Sequence, residues 1–217
     1  MCGIVGIIHK NPVPIDAGLL KQMGDTLHHR GPDDEGMFID DRIGFFHKRL
    51  SIIDLASGHQ PMTDGDCTII FNGEIYNYVE LRQELVQKGH RFQTYSDTEV
   101  ILKMYREYGE KAVDLLNGMF AFLLYDKSRQ RILAARDHFG IKPLYIYEDD
   151  EKLLFASEIK AILKHDGVKA ALNRESLNEY LTFQFILGEN TLFKNIKKVL
   201  PGHYLDIDLR SNNIRTV

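Results

Sequence analysis

Apolar positions along this chain recur with two spacings, and the change from one to the other marks out its elements. Ile4, Val5, Ile7 and Ile8 read Cys2–His9 as a short buried strand. Leu19, Leu20, Met23 and Leu27 then recur at helical spacing through Asp16–His29, which runs into the turn Arg30-Gly31-Pro32-Asp33-Asp34. Met37–Ile39 and Ile43–His47 suit a hairpin across Asp40-Asp41, and Cys67–Phe71 is a run of β-formers closed by the turn pair Asn72-Gly73. The helical period returns in Tyr78–Lys88, with Val79, Leu81, Leu85 and Val86 inward and Gly89 as the stop. It returns again in Asp97–Tyr108, where Val100, Ile101, Met104, Tyr105 and Tyr108 share one side. Ser96 or Asp97 is the candidate cap there, with Glu99 in the capping-box position if Ser96 is the cap.

Two further hairpins follow, Gly118–Tyr125 with Arg131–Arg136 and Leu144–Tyr147 with Leu153–Ala156. Ser157–His165 and Arg174–Phe183 have helical spacing, Tyr204–Asp208 is a strand, and Ile214–Val217 looks like a strand cut short, as in a fragment of a longer chain. Hairpins interleaved with helices predict an α+β fold rather than a doubly wound sheet.

Composition narrows the function classes. A chain of 217 residues suits one large domain, spanning 1–217, that folds without staples. A net charge of −4 gives no basic field for nucleic acid or an anionic membrane. The longest fully apolar stretch, Met119–Tyr125, is far short of the roughly 20 residues that span a bilayer, and Met1–Ile8 lacks the basic start of a signal peptide. Cys2 and Cys67 form neither a disulfide framework nor a zinc knuckle, so a reducing cytoplasm is the expected compartment. His28, His29, His47, His59 and His138 lack metal-ligand spacing, so no metal is expected, and Cys67 on its strand is expected to be inert.

Cys2 carries the candidate chemistry. Removal of Met1 leaves a thiol and a free α-amine on one residue, and their ordinary pKa values lie close enough for the amine to take the thiol proton near neutrality. With Met1 attached, that nitrogen is an amide and accepts no proton. Gly3 beside it allows a substrate to approach the backbone closely. Position alone is weak evidence, since a cysteine near a terminus is more often a small inert apolar residue.

Several separate segments sharpen the reading. Met1-Cys2-Gly3-Ile4-Val5-Gly6, His29–Asp34, Arg49-Leu50-Ser51-Ile52-Ile53-Asp54, Asn72-Gly73-Glu74-Ile75-Tyr76-Asn77 and Ser96–Glu99 resemble the signatures of class II glutamine amidotransferases, the N-terminal-nucleophile hydrolase group. With Ala135–Leu144, they are most similar to the glutaminase domain of bacterial glutamine-hydrolysing asparagine synthetases.

The resemblance implies a four-layer αββα sandwich of two antiparallel sheets. It implies that Cys2 attacks the side-chain amide of glutamine, giving a thioester that water cleaves to glutamate, and that Asn72 and the Gly73 N–H form the oxyanion hole. It places Arg49, Leu50, Ile52, Glu74 and Asp97 around the glutamine, the arginine on its carboxylate and the acids on its ammonium, with Arg30, Gly31 and Ser96 lining the pocket. It further implies a C-terminal synthetase domain that receives the ammonia, needs ATP and Mg²⁺ and amidates aspartate, no cofactor within these residues, and possible homodimers. His138, where many relatives have proline, is a departure expected to be peripheral.

Each segment alone has a plainer reading. Arg49 suits a solvated strand end, Asn72-Gly73 a hairpin turn, Glu74 a strand-edge charge, Asp97 a helix-start residue and Arg30–Asp34 a surface turn. The alternatives for the whole are a glutaminase serving another acceptor, a silent docking or dimerisation module, and an amidase for some other amide.

Overall fold

The structure is a computed structural model describing residues 1–217. In chain order its elements are β1 (Gly3–His9), α1 (Ala17–Asp25), β2 (Asp34–Asp40), β3 (Ile43–Arg49), β4 (Met62–Asp64), β5 (Cys67–Ile75), α2 (Tyr78–Gln87) and α3 (Asp97–Tyr108). There follow β6 (Gly118–Asp126), β7 (Arg131–Arg136), β8 (Tyr145–Glu148), β9 (Lys152–Ala156), α4 (Ile159–Leu163), α5 (Arg174–Phe183), β10 (Ile196–Lys198), β11 (Tyr204–Asp208) and β12 (Asn213–Thr216). The strands form two six-stranded sheets, ordered β10-β8-β9-β1-β3-β2 and β12-β11-β7-β6-β5-β4, with every pairing antiparallel.

Strand periodicity explains the layers. Ile4 and Ile8 of β1 and Phe45 of β3 point inward and meet Ile70, Leu123 and Ala134 of the other sheet. Gly6 lies on that inner face, where a Cβ would stand 2.4 Å from Leu123 Cδ1, so the sheets approach as closely as they do only over a glycine. The alternate residues Val5 and Ile7 face outward onto Leu20 and Met23 of α1 and Ile162 of α4. On the second sheet Ile69, Phe71 and Phe122 face outward onto Leu81 and Leu85 of α2 and Val100 and Met104 of α3. The result is the helix–sheet–sheet–helix sandwich that the resemblance implies. No helix is long and apolar enough to cross a membrane.

Four local readings need correction. Asn72-Gly73 is not a turn: β5 runs through both, Asn72 opposite Ala121 and Gly73 opposite Phe120 of β6. A nine-residue partner strand overrides the local turn preference. α1 ends at Asp25 rather than continuing to His29, because Thr26 Oγ1 bonds Met23 O (2.7 Å) and the chain tightens into three-residue turns. Val79 and Val86 of α2 are exposed; only Leu81 and Leu85 of the four point inward. Ser96 does cap α3, accepting from Thr98 N at 3.1 Å, but Glu99 does not return to it. Its carboxylate instead takes the N–H groups of Gln93 and Thr94. At the other end of α2 Gly89 (φ +93°) closes the helix as expected, with His90 N reaching Leu85 O.

Candidate active site

Cys2 stands just before β1, at the end of the sandwich where β3 finishes and β5 and α3 come together. Leu50 N donates to its Sγ at 3.4 Å, and the Leu50 carbonyl lies at 3.6 Å. Burial pushes the thiol up, and the Leu50 backbone, the nearby α-amine, Arg49 and Lys142 pull against that rise. Burial also lowers the Met1 α-amine, helped by Arg30 and Lys142.

Cys2, Arg49, Leu50, Ile52, Asn72, Gly73, Glu74, Ser96 and Asp97 all line one cavity of about 230 Å³. Asn72 is buried, and neither its Nδ2 nor its Oδ1 has a partner. Leaving such a group unmatched costs about 1–3 kcal/mol, a cost a fold carries where a ligand completes the bonding.

The charges in the cavity are likewise uncompensated. The buried Arg49 guanidinium rests on the carbonyl oxygens of Ile53 (3.3 Å), Asp54 (2.6 Å) and Leu55 (3.4 Å), with no carboxylate at ion-pairing distance. Gly58 makes room for it, since a Cβ there would lie 2.5 Å from Arg49 Nη2. Asp97, at the start of α3, accepts from Ile75 N at 3.0 Å, and burial pushes its carboxyl up to about 6, with Glu74 adding to the rise. An unpaired guanidinium and two unpaired carboxyls in a small enclosure suit a zwitterion, which brings the missing counter-charges with it.

Arg30 and Gly31 do not line the cavity; they support it from behind. Arg30 Nε donates to Cys2 O at 2.8 Å and Nη1 to Glu158 at 3.0 Å. Partial burial works against ionisation of Glu158, but hydrogen bonds from Arg30, His29 and Lys160 take it down to about 2. Gly31 lies against β3, where a Cβ would meet Lys48 O at 2.3 Å. Glu158 and Lys142 escaped the sequence reading. Lys142 stood in plain view within the Ala135–Leu144 segment, whereas Glu158, far along the chain, gave no signal. His138 is exposed and does not line the cavity.

The family model described as a glutamine amidotransferase domain matches residues 1–216. The chain belongs to that family. Among curated relatives, this amidotransferase domain is 47% identical to asparagine synthetase [glutamine-hydrolyzing] 1 of Bacillus subtilis, over 95% of the chain and 33% of that protein. It is 42% identical to asparagine synthetase [glutamine-hydrolyzing] 3 of the same organism, over 99% of the chain and 36% of that protein. The domain thus spans about a third of the length of these relatives. Among solved structures, the glutamine phosphoribosylpyrophosphate amidotransferase of B. subtilis covers all of the chain and 49% of its own, with a TM-score of 0.69 at 19% identity. That likeness supports the fold, the four-layer αββα sandwich.

Proposed function

We propose that this domain hydrolyses glutamine to glutamate and ammonia, with Cys2 as nucleophile once Met1 is removed. The observation that carries the reading is the orphaned Asn72 amide, buried in the same cavity as the Cys2 thiol. The α-amine of Cys2 takes the Sγ proton as sulfur attacks the side-chain amide carbon. Asn72 Nδ2 and the Gly73 N–H receive the oxygen as it gains negative charge. The carbon–nitrogen bond breaks, the departing nitrogen takes the proton from the α-amine, and ammonia leaves a γ-glutamyl thioester. Water then attacks the thioester, giving glutamate and restoring the thiol. Arg49 holds the substrate carboxylate, Glu74 and Asp97 its ammonium, and Leu50 and Ile52 pack against its stem.

Similarity to asparagine synthetases supports aspartate as the acceptor of the ammonia, activated with ATP and Mg²⁺ by a further domain of the full-length protein. Glutamate release from glutamine, compared with release from N-acetylglutamine, tests the hydrolytic reading. Activity on glutamine alone is expected. Equal rates on both would contradict the ammonium-binding role of Glu74 and Asp97, and no release from either would favour a silent docking module.

A further inference from the structure

Four lysines are buried in this protein, and three of them are paired. Lys48 meets Asp25 and Glu35, Lys103 meets Asp64, and Lys152 meets Asp149. Lys142 is the exception: the residue is 6% exposed and lines the cavity beside Cys2, its Nζ reaching the cavity space with no carboxylate at ion-pairing distance.

The loop that carries Lys142 is held rigidly. The buried Asp137 carboxylate accepts the N–H groups of Phe120 (3.1 Å), Phe139 (3.1 Å), Ile141 (2.9 Å) and Lys142 (2.9 Å). From the other side Arg136 donates to Gly140 O (2.7 Å), Lys142 O (2.8 Å) and Val199 O (2.6 Å). The backbone from which the Lys142 side chain extends is therefore held at the cavity wall by seven hydrogen bonds, four accepted by Asp137 and three donated by Arg136.

Other charges face Cys2 as well, and the α-amine at the chain start and Arg49 act on its thiol in the same direction as Lys142. Arg30, after α1, spends its charge on Glu158, and Arg49, at the end of β3, rests on three carbonyl oxygens. Asp33 holds Ser51 N at 2.8 Å, and Glu74 of β5 and Asp97 of α3 are acids that oppose a thiolate. The α-amine is the proton's destination.

We propose that Lys142 is a positioning residue that acts through Cys2, its ammonium holding the sulfur in its negative form during attack and again when the thioester releases it. The proposal rests on Cys2 being the nucleophile. Lys142 forms no covalent bond and exchanges no proton. The thiol proton passes to the Cys2 α-amine.

Iodoacetamide alkylation of Cys2 in the Met1-free chain, followed against pH, reads the thiolate without requiring glutamine turnover. In Lys142→Met the alkylation midpoint is expected to rise by about one pH unit, with an approximately tenfold slower rate at pH 7. The kcat for glutamate release is expected to fall with it while KM holds, and Lys142→Arg is expected to recover most of both. An unchanged alkylation profile in folded Lys142→Met or Lys142→Gln overturns the proposal. A rise in KM alone also overturns it, and makes Lys142 a ligand of the substrate carboxylate. If the parent chain alkylates but releases no glutamate, the glutaminase reading fails while the alkylation profile still decides the role of Lys142.

Discussion

The N–H of Leu50 points at the sulfur of Cys2 across 3.4 Å. Leu50 is the first residue after β3, and Cys2 immediately precedes β1, its antiparallel neighbour in the sheet, where Gly3 pairs with Lys48. The pairing of these two central strands therefore sets the nucleophile against a backbone donor that favours its anionic form. Cys2→Ser preserves the shape of the site but replaces the thiol with a far weaker acid. Glutamate release is expected to fall below detection while thermal stability holds. Retained turnover would remove Cys2 from the mechanism.

Asn72 is held by the β5–β6 ladder and has no other partner for its amide, so truncating it should change the transition state more than the ground state. For Asn72→Ala a loss of about 10²–10³ in kcat is expected, with KM little changed. Steady-state kinetics check this, and a KM effect without a kcat effect would make Asn72 a binding residue only.

Asp97 gives a pH signature with a definite sign. Its carboxyl is pushed up to about 6 by burial, and it has no cation partner in the free protein. An α-ammonium binds the ionised form, so the proton and glutamine compete. KM is expected to rise as pH falls through about 6 and to level off above it. Asp97→Asn should raise KM at neutral pH and flatten this dependence. An unaltered slope in the variant would assign the titration to another group.

His47 links the site to stability. It is fully buried, its Nε2 meets Phe71 O at 3.0 Å, and burial lowers it to about 4. Its folded value lies below the ordinary 6.5, so the unfolded chain binds a proton first as pH falls. The stability it contributes is present above about pH 6.5 and lost progressively toward pH 4, on the order of 3 kcal/mol in all. Asp97 runs the other way in part of that window, stabilising the fold as it takes up its proton, so the comparison must be between parent and His47→Gln. Urea melts at pH 7 and pH 5 should show a smaller acid loss in the variant.

Much of this architecture was legible because alternation and helical spacing report burial directly. α3, α5, β7 and β11 lie where their patterns place them, each with its predicted bounds. Asn72-Gly73 misled because a local turn preference carries no information about a partner strand many residues later. The short strands β4 and β10 have three residues each, too few to show a period. In the site, Cys2, Arg49, Asn72 and Asp97 were legible as members of family-like segments, and the cavity unites them. Arg30 was found too, but its direction was not legible: whether a side chain enters a cavity or braces it from behind depends on long-range packing. The ion pair between Arg30 and Glu158 joins residues that no spacing rule connects. Lys142 differs again, since a lysine becomes notable only when its missing partner can be seen.

The most direct test of the central claim is an intact-mass spectrum of the Met1-free chain after exposure to an electrophilic glutamine analogue, with the adduct mapped by fragmentation. The account predicts one adduct, on Cys2 and suppressed by excess glutamine, with Cys67 untouched in its buried strand. A Met1-free chain that takes no adduct, or takes it on Cys67 regardless of glutamine, would contradict it.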